Sequence, residues 1–113
     1  MTTFSTGRQA EAAAAEYLKQ LGYKIVEQNW RTRYCEIDIV AEKAKVIYFV
    51  EVKYRASNTQ GSGIEYVTLR KLDQMRFAAE AWVVDHDWTN AYQLAAIEVS
   101  GIKFEVTSFL ESV

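Results

Sequence analysis

A carboxylate and an ammonium group end the most apolar run of this sequence. Residues 46–50 are apolar at every position, which is typical of a strand buried on both faces, and the run then changes to Glu51 and Lys53. Because side chains alternate along a strand, Glu51 and Lys53 share a face with Ile47 and Phe49. An acid and a base are therefore expected side by side at the end of a buried strand.

A second carboxylate, Asp38, lies in the preceding β-rich segment, on the same predicted face as Val40, with Ile37 and Ile39 together on the other face. If a four-residue loop, 43–46, joins the two strands, paired positions sum to 89 and Val40 faces Phe49, a sensible apolar pair. Asp38 then lies directly opposite Glu51, with Cβ atoms ~5 Å apart. Two carboxylates at that distance repel unless a cation lies between them or one is protonated.

This spacing suits the hydrolysis of a phosphodiester. Mg²⁺ or Mn²⁺ prefers hard oxygen ligands, and we predict Asp38, Glu51 and the backbone carbonyl of Val52 as the ligands. A metal held there would activate water and neutralise phosphate charge. Lys53 would orient or deprotonate the water, or stabilise the developing charge. The alternative from the residues alone is a surface salt bridge between Glu51 and Lys53 at the end of the sheet.

Two further charged residues share a helix face with apolar residues. Glu11 lies on the same side of the first predicted helix as Ala14 and Leu18, and Lys71 on the same side of the second as Met75. Each either reaches the site or extends its charged end past the rim of the core into water.

The distribution of charge limits where nucleic acid could bind. The net charge of −2 argues against a protein that coats nucleic acid by bulk electrostatics. Residues 1–76 nevertheless carry 12 Lys and Arg against 9 Asp and Glu, whereas residues 77–113 carry 1 against 6. A nucleic-acid-binding face is thus expected in the first two thirds of the chain, unless these basic residues are only scattered over the solvent-exposed surface. The candidates for contacts with phosphates are Arg31, Arg33, Arg55 and Lys71, with the polar segment 56–63 beside them.

The bulk composition predicts one domain over residues 1–113 with a substantial apolar core. Cys35 is the single cysteine and cannot form an internal disulfide, so a cytoplasmic protein is expected. One cysteine and one histidine argue against a structural zinc site, and no apolar run is long enough to span a membrane.

The periodicity predicts helices over residues 6–21 and 67–85. Strands are predicted over 23–28, 34–41, 45–54, 92–99 and 103–107, and a loop over 56–63. This order, α-β-β-β-α-β-β, indicates an α/β domain with a central mixed sheet flanked by helices.

The chain also resembles a known family, the YraN family, which is similar to Holliday-junction resolvases and other restriction-endonuclease-like PD-(D/E)XK proteins. The resemblance is carried, in order along the chain, by Gly7-Arg8-Gln9-Ala10-Glu11, Leu21-Gly22-Tyr23, Asn29-Trp30-Arg31, Glu36-Ile37-Asp38-Ile39-Val40, Phe49-Val50-Glu51-Val52-Lys53-Tyr54-Arg55, Gly61-Ser62 and Lys71. It implies a restriction-endonuclease-like fold with Glu11, Asp38, Glu51 and Lys53 as the catalytic residues. It further implies an endonuclease dependent on Mg²⁺ or Mn²⁺ that acts on DNA, including branched or single-stranded forms.

Three positions depart from the family pattern. Ala10 and Cys35 stand where the family usually has glycine, and Gln93 stands where a late aspartate is common. With the weak net charge, these departures keep a second function open, a non-catalytic nucleic-acid-binding or scaffold protein that retains the fold. A homodimer is expected only by analogy with resolvases, which act on two-fold junctions.

Overall fold

The structure, a computed structural model, describes residues 3–56 and 67–113. Along the chain lie α1 (Thr3–Gln20), β1 (Lys24–Arg31), β2 (Glu36–Lys43), β3 (Val46–Arg55), α2 (Leu69–Asp85), β4 (Tyr92–Ser100) and β5 (Glu105–Leu110). The predicted order of elements is confirmed, with ends that differ by a few residues. The predicted loop 56–63 lies, apart from Ala56, outside the described residues.

The five strands form one mixed sheet in the order β1-β2-β3-β4-β5. Only β3 and β4 are parallel; the other neighbours are antiparallel. The chain crosses from β3 to β4 through α2, as parallel strands require. The buried residues form two clusters, one that includes α1 residues and one that includes α2 residues, so the helices cover opposite faces. None of the helices in the described residues is long and apolar enough to cross a membrane.

The helix ends follow from local chemistry. Helix α1 ends where Gly22 adopts a φ of +93°, and the N–H groups of Gly22 and Tyr23 close the last turn by donating to Lys19 and Leu18 carbonyls. Helix α2 begins after Thr68, whose Oγ1 accepts a hydrogen bond from the Lys71 N–H at 3.1 Å. The first turn of α2, and Lys71 in it, is thereby fixed beside the sheet.

The other end of α2 is tied to β1. The Trp82 Nε1–H donates to Glu27 Oε1 at 3.1 Å, and His86 Nε2 lies 3.3 Å from the same oxygen. The His86 ring also stacks on Trp82, with centroids 4.0 Å apart. These contacts, together with the burial of Met75 and Ala78, hold α2 across the α2-side face of the sheet.

The predicted register between β2 and β3 is confirmed for Ile39 to Lys43, but the pairing ends at Ile39 and Val50. The predicted pair of Asp38 and Glu51 is not formed, because the Asp38 side chain accepts the Val52 N–H instead. Val40 pairs with Phe49 and Glu42 with Ile47, so paired positions sum to 89. The connection is shorter than the four residues expected, because Lys43 and Val46 also pair and only Ala44 and Lys45 remain in the turn. Both have positive φ, +52° and +67°, which is the backbone of a two-residue type I′ hairpin. The observed turn lacks one residue at each end of the expected loop, so the register of the two strands is the same in both cases.

The predicted alternation in β2 is wrong at one place. Ile37 and Ile39 were expected to share a face, but Ile37 packs in the α2-side cluster and Ile39 in the α1-side cluster. On the neighbouring strand, Asn29 falls between Gln28 and Trp30, which pair with Ile39 and Ile37, and it adopts a φ of +54°. A left-handed residue interrupts a regular strand pair. The interruption lies opposite Asp38, which falls between Ile37 and Ile39 on the neighbouring strand.

Candidate active site

Glu51 lies on the α2 side of the sheet, near the end of β3. Its Oε2 is 2.9 Å from Lys71 Nζ, and both side chains are largely buried, with 21% and 33% of their surfaces exposed. Of the two alternatives that the sequence left open for Lys71, the structure shows the one in which its ammonium group reaches the end of the sheet and binds Glu51. The pair is short and partly desolvated, so it carries more energy than an exposed surface pair.

Asp38 contacts the main chain of β3 rather than a side chain. Its Oδ2 accepts a hydrogen bond from the Val52 N–H at 2.8 Å. In a strand, the N–H and C=O of one residue point toward the same neighbouring strand. The Val52 carbonyl therefore also faces the β2 edge, on the side where Asp38 lies. This is the orientation that the predicted ligand set of Asp38, Glu51 and the Val52 carbonyl requires.

The ionisation of Asp38 is strongly perturbed. Burial, followed by the negative charge of Glu51, raises the pKa of Asp38 from 3.8 to about 7. Glu11 and Glu36 raise it further, and the Val52 N–H lowers it by stabilising the carboxylate. Asp38 thus lies close enough to three other carboxylates for their charges to act on it. A perturbed carboxyl among like charges is typical of a functional site.

Glu11 joins this group from α1. Burial raises the pKa of Glu11, and the charge of Glu36 raises it further. A hydrogen bond from the Asn29 side chain, together with Arg8 and Arg31, acts in the opposite direction. Glu11 and Asp38 line the same recess, and a catalytic role for Glu11 stays a prediction.

Sequence reasoning missed Glu36 and Asn29 as members of this group. Glu36 lies in a recess of about 220 Å³ with Glu11, Asn29 and Asp38, and it also lines a second recess with Glu51. The signal for Glu36 was its place two residues before Asp38. For Asn29 the signal was weaker, since only its tolerance of left-handed backbone marks it among strand residues.

Lys53 is exposed and follows Glu51 by two residues on the same face of β3. Its register partner on the parallel strand β4 is Glu98. Lys53 therefore has the place beside Glu51 that the sequence predicted, and it lies two residues farther along β3 than the Glu51–Lys71 ion pair.

The four candidate phosphate contacts do not all lie together. Lys71 binds Glu51, while Arg31 lies 3.5 Å from Glu36 across an exposed pair. The Arg33 guanidinium lies over the Tyr34 ring, 5.4 Å from its centroid. Lys71 and Arg31 thus contact carboxylates, from α2 and from the end of β1, whereas Arg33 lies in the β1–β2 connection against an aromatic ring.

Arg55 is held elsewhere, at the far end of β3. Its Nε lies 2.8 Å from Glu98 Oε2, and the Glu98 side chain is only 3% exposed. The other Glu98 oxygen accepts a hydrogen bond from Thr107 Oγ1 at 2.8 Å, and Thr107 is in turn 2.9 Å from Ser100 Oγ. The two charged atoms are close but poorly aligned for a hydrogen bond, and neither has another partner among the described residues. Arg55 therefore has a structural partner in the core.

The carboxylate and carbonyl oxygens of the site suit a hard cation such as Mg²⁺ that takes only a few of its ligands from the protein. Within residues 3–56 and 67–113, no three His, Cys, Asp or Glu side chains converge closely enough to hold a metal ion. Two carboxylates completed by a backbone carbonyl and water remain compatible with Mg²⁺, which commonly keeps several waters and uses one or two carboxylates.

Comparison with known proteins gives the family of the chain. The model of the uncharacterised protein family UPF0102 matches residues 10–108. A UPF0102 protein of Chlorobium chlorochromatii is 45% identical over 82 residues, 73% of this chain and 64% of that protein. One of Syntrophomonas wolfei is 51% identical over 73 residues, 65% of this chain and 64% of that protein. One of Mycobacterium bovis is 35% identical over 105 residues, 91% of this chain and 80% of that protein.

The chain thus spans a little under two thirds of the length of the first two of these relatives. The match includes Glu11, Asp38, Glu51 and Lys53, since all four fall within residues 10–108. The resemblance drawn from the sequence motifs is confirmed, and the chain belongs to UPF0102, the YraN family.

Proposed function

We propose that this protein is a divalent-metal-dependent endonuclease that hydrolyses phosphodiester bonds in DNA. The observation that carries the proposal is the position of Asp38, held by the Val52 N–H and raised in pKa to about 7 by burial and by Glu51. A fold gains nothing in stability from placing a desolvated carboxyl among like charges. Such an arrangement is best explained by a cation that binds there.

Asp38, Glu51 and the Val52 carbonyl would hold Mg²⁺ or Mn²⁺. The donor set is all oxygen, and the carbonyl faces the same strand edge as Asp38, so the residues fit such an ion. When bound, the ion supplies charge neutralisation for the phosphate and lowers the pKa of water.

The remaining residues would bind and orient the substrate. Lys53, beside Glu51 on β3, donates hydrogen bonds to the attacking water or to the phosphoryl oxygen where charge develops. Glu11 holds a further water in the recess that it shares with Asp38. Arg31 and Arg33 contact flanking phosphates, and Lys71 offsets the negative charge of the carboxylates.

Cleavage of defined substrates tests the proposal. The wild type is incubated with Mn²⁺ and single-stranded, duplex and four-way-junction DNA, beside Glu51→Gln and a control, Glu16→Gln. Glu16 is exposed on α1, away from the carboxylates. We expect Glu51→Gln to lose at least about 100-fold in rate, equivalent to about 2.7 kcal/mol of transition-state stabilisation, because a ligand is lost. Glu16→Gln should match the wild type.

A wild type that cleaves none of the substrates, or a Glu51→Gln variant as active as the wild type, would contradict the proposal. The Lys71–Glu51 ion pair favours one alternative, because an ammonium group already neutralises a proposed metal ligand. In that case the protein binds nucleic acid without cleaving it. Salt-dependent binding with no cleavage by the wild type would support this non-catalytic function.

A further inference from the structure

A second recess lies directly beside Glu51. Its volume is about 570 Å³, within the roughly 300–1,000 Å³ typical of ligand-binding clefts. Its walls include Tyr34, Glu36, Glu51, Lys71, Met75 and Phe77. The recess therefore shares Glu51 with the proposed metal site, and it shares Glu36 with the recess of Asp38 and Glu11.

Two aromatic side chains at this recess are unusually open to solvent. Tyr34 is 75% exposed and Phe77 is 56% exposed. Neither ring is needed to fill the core, because the α2-side cluster is built from other residues. Exposed aromatic rings beside a charged site are the side chains that proteins use to stack on nucleobases.

The carboxylate oxygens on the walls decide which part of a nucleotide can enter. Glu36, Glu51 and Asp73 line the recess, and each forms an ion pair with a cation of the protein. Their oxygens accept hydrogen bonds, and a phosphodiester has no donor to offer them. A base that carries an exocyclic amino group would instead donate hydrogen bonds to them, as cytosine does to Glu or Asp. The phosphates would run along the exposed side, where Arg33 lies over the Tyr34 ring.

We propose, building on the proposed function, that this recess binds one unpaired nucleobase next to the scissile phosphate, stacked against Tyr34 and Phe77. A base inside a continuous duplex keeps its faces stacked on its neighbours and cannot present them to a ring. The substrate class is therefore DNA with an unpaired nucleotide at the cleavage position, as in single strands and flaps. Cytosine and adenine are preferred over thymine, which carries no amino group.

Binding without metal tests the recess separately from catalysis. A short single strand containing 2-aminopurine and a matching duplex are titrated at low salt in a chelating buffer. The proteins are the wild type, Tyr34→Leu, Phe77→Leu, Tyr34→Phe and a control, Ile102→Ala. Ile102 is 90% exposed and does not line the recess. Because stacking lowers 2-aminopurine fluorescence, the signal reports the ring contact itself as well as the affinity.

We expect Tyr34→Leu and Phe77→Leu to weaken single-strand binding about 5- to 100-fold and to remove the fluorescence change. Duplex binding should stay the same, and Tyr34→Phe and Ile102→Ala should behave as the wild type. An oligo-cytosine strand should bind tighter than oligo-thymine, with the difference reduced in Glu36→Gln.

Three results of the binding assay would overturn the inference about the recess. These are equal loss of single-strand and duplex affinity, fluorescence quenching that persists in both leucine variants, and a wild type that binds single strands no better than duplex. Because the binding assay contains no metal, its results do not depend on cleavage. Absence of cleavage in the separate assay with Mn²⁺ would contradict the proposed nuclease and leave these binding results intact. Cleavage that is insensitive to Tyr34→Leu and Phe77→Leu would contradict only the base recess.

Discussion

Asp38→Asn is expected to make the protein more stable at pH 8 while abolishing cleavage. The wild-type carboxyl ionises in a buried position beside Glu51, which raises its pKa in the folded state to about 7. Asparagine has no charge, and its side-chain oxygen can still accept the Val52 N–H hydrogen bond. The substitution therefore removes the repulsion and keeps the contact.

The gain should depend on pH in a defined direction. A raised pKa means that the folded state holds the proton more tightly than the unfolded chain, in which Asp titrates near its usual value. The stability from protonated Asp38 is present below about pH 4, falls as pH rises, and is lost above about pH 7. At pH 8 we expect Asp38→Asn to exceed the wild type by about 2–4 kcal/mol in free energy of unfolding. At pH 5 the gain should be smaller by about 2 kcal/mol.

Urea unfolding at the two pH values measures this difference. Asp73→Asn is the matched control, since that carboxylate is 78% exposed and pairs with Arg76 on the same helix. The control should change stability by less than about 0.5 kcal/mol at either pH. If Asp38→Asn were less stable than the wild type at pH 8, the ionised Asp38 carboxylate would stabilise the fold. That result would contradict the view that Asp38 is kept for function at a cost in stability.

Removing either partner of the Arg55–Glu98 pair is expected to give a large loss of stability. Glu98 is 3% exposed, and its two oxygens contact Arg55 and Thr107. Glu98→Ala leaves Arg55 without its partner, and Arg55→Ala leaves a buried carboxylate. Breaking a buried pair in this way costs about 3–5 kcal/mol.

A double-mutant cycle separates the pair from simple loss of packing. Arg55→Met with Glu98→Leu replaces both charges by apolar groups, so its cost should be well below the sum of the single substitutions. Additive costs, each under about 1 kcal/mol, would contradict a buried ion pair. Mononucleotide or DNA binding by Arg55→Met, if unchanged, would further argue that Arg55 acts in folding and not at a phosphate.

The part of the site that lies within one strand could be predicted from the sequence. The apolar run before Glu51 and Lys53 gave their common face, and the match of Val40 to Phe49 gave the β2–β3 register. Both follow from period-2 alternation and from apolar pairing, which are properties of short stretches of chain. For Lys71 the helix pattern left two alternatives, and the ion pair with Glu51 in the structure decides between them.

The contacts that depend on distant backbone could not be predicted. Asp38 bonds to the Val52 N–H at a point where Asn29 departs from strand geometry, and no rule of composition requires asparagine to do so there. The pairing of Arg55 with Glu98 needs the parallel register of β3 and β4, two strands separated by a whole helix. Tyr34 and Phe77 line one recess only through the tertiary packing of α2.

The most direct test of the central claim is a calorimetric titration of Mn²⁺ into the wild type and Asp38→Asn at about pH 6 in two buffers of different protonation enthalpy. Because Asp38 is mostly protonated at that pH, metal binding by the wild type should release about one proton, and less at about pH 8.5. Asp38→Asn should bind Mn²⁺ at least about 10-fold more weakly and release no proton. If both proteins bind Mn²⁺ with the same affinity and proton release, Asp38 is not a ligand and the proposed metal site is contradicted.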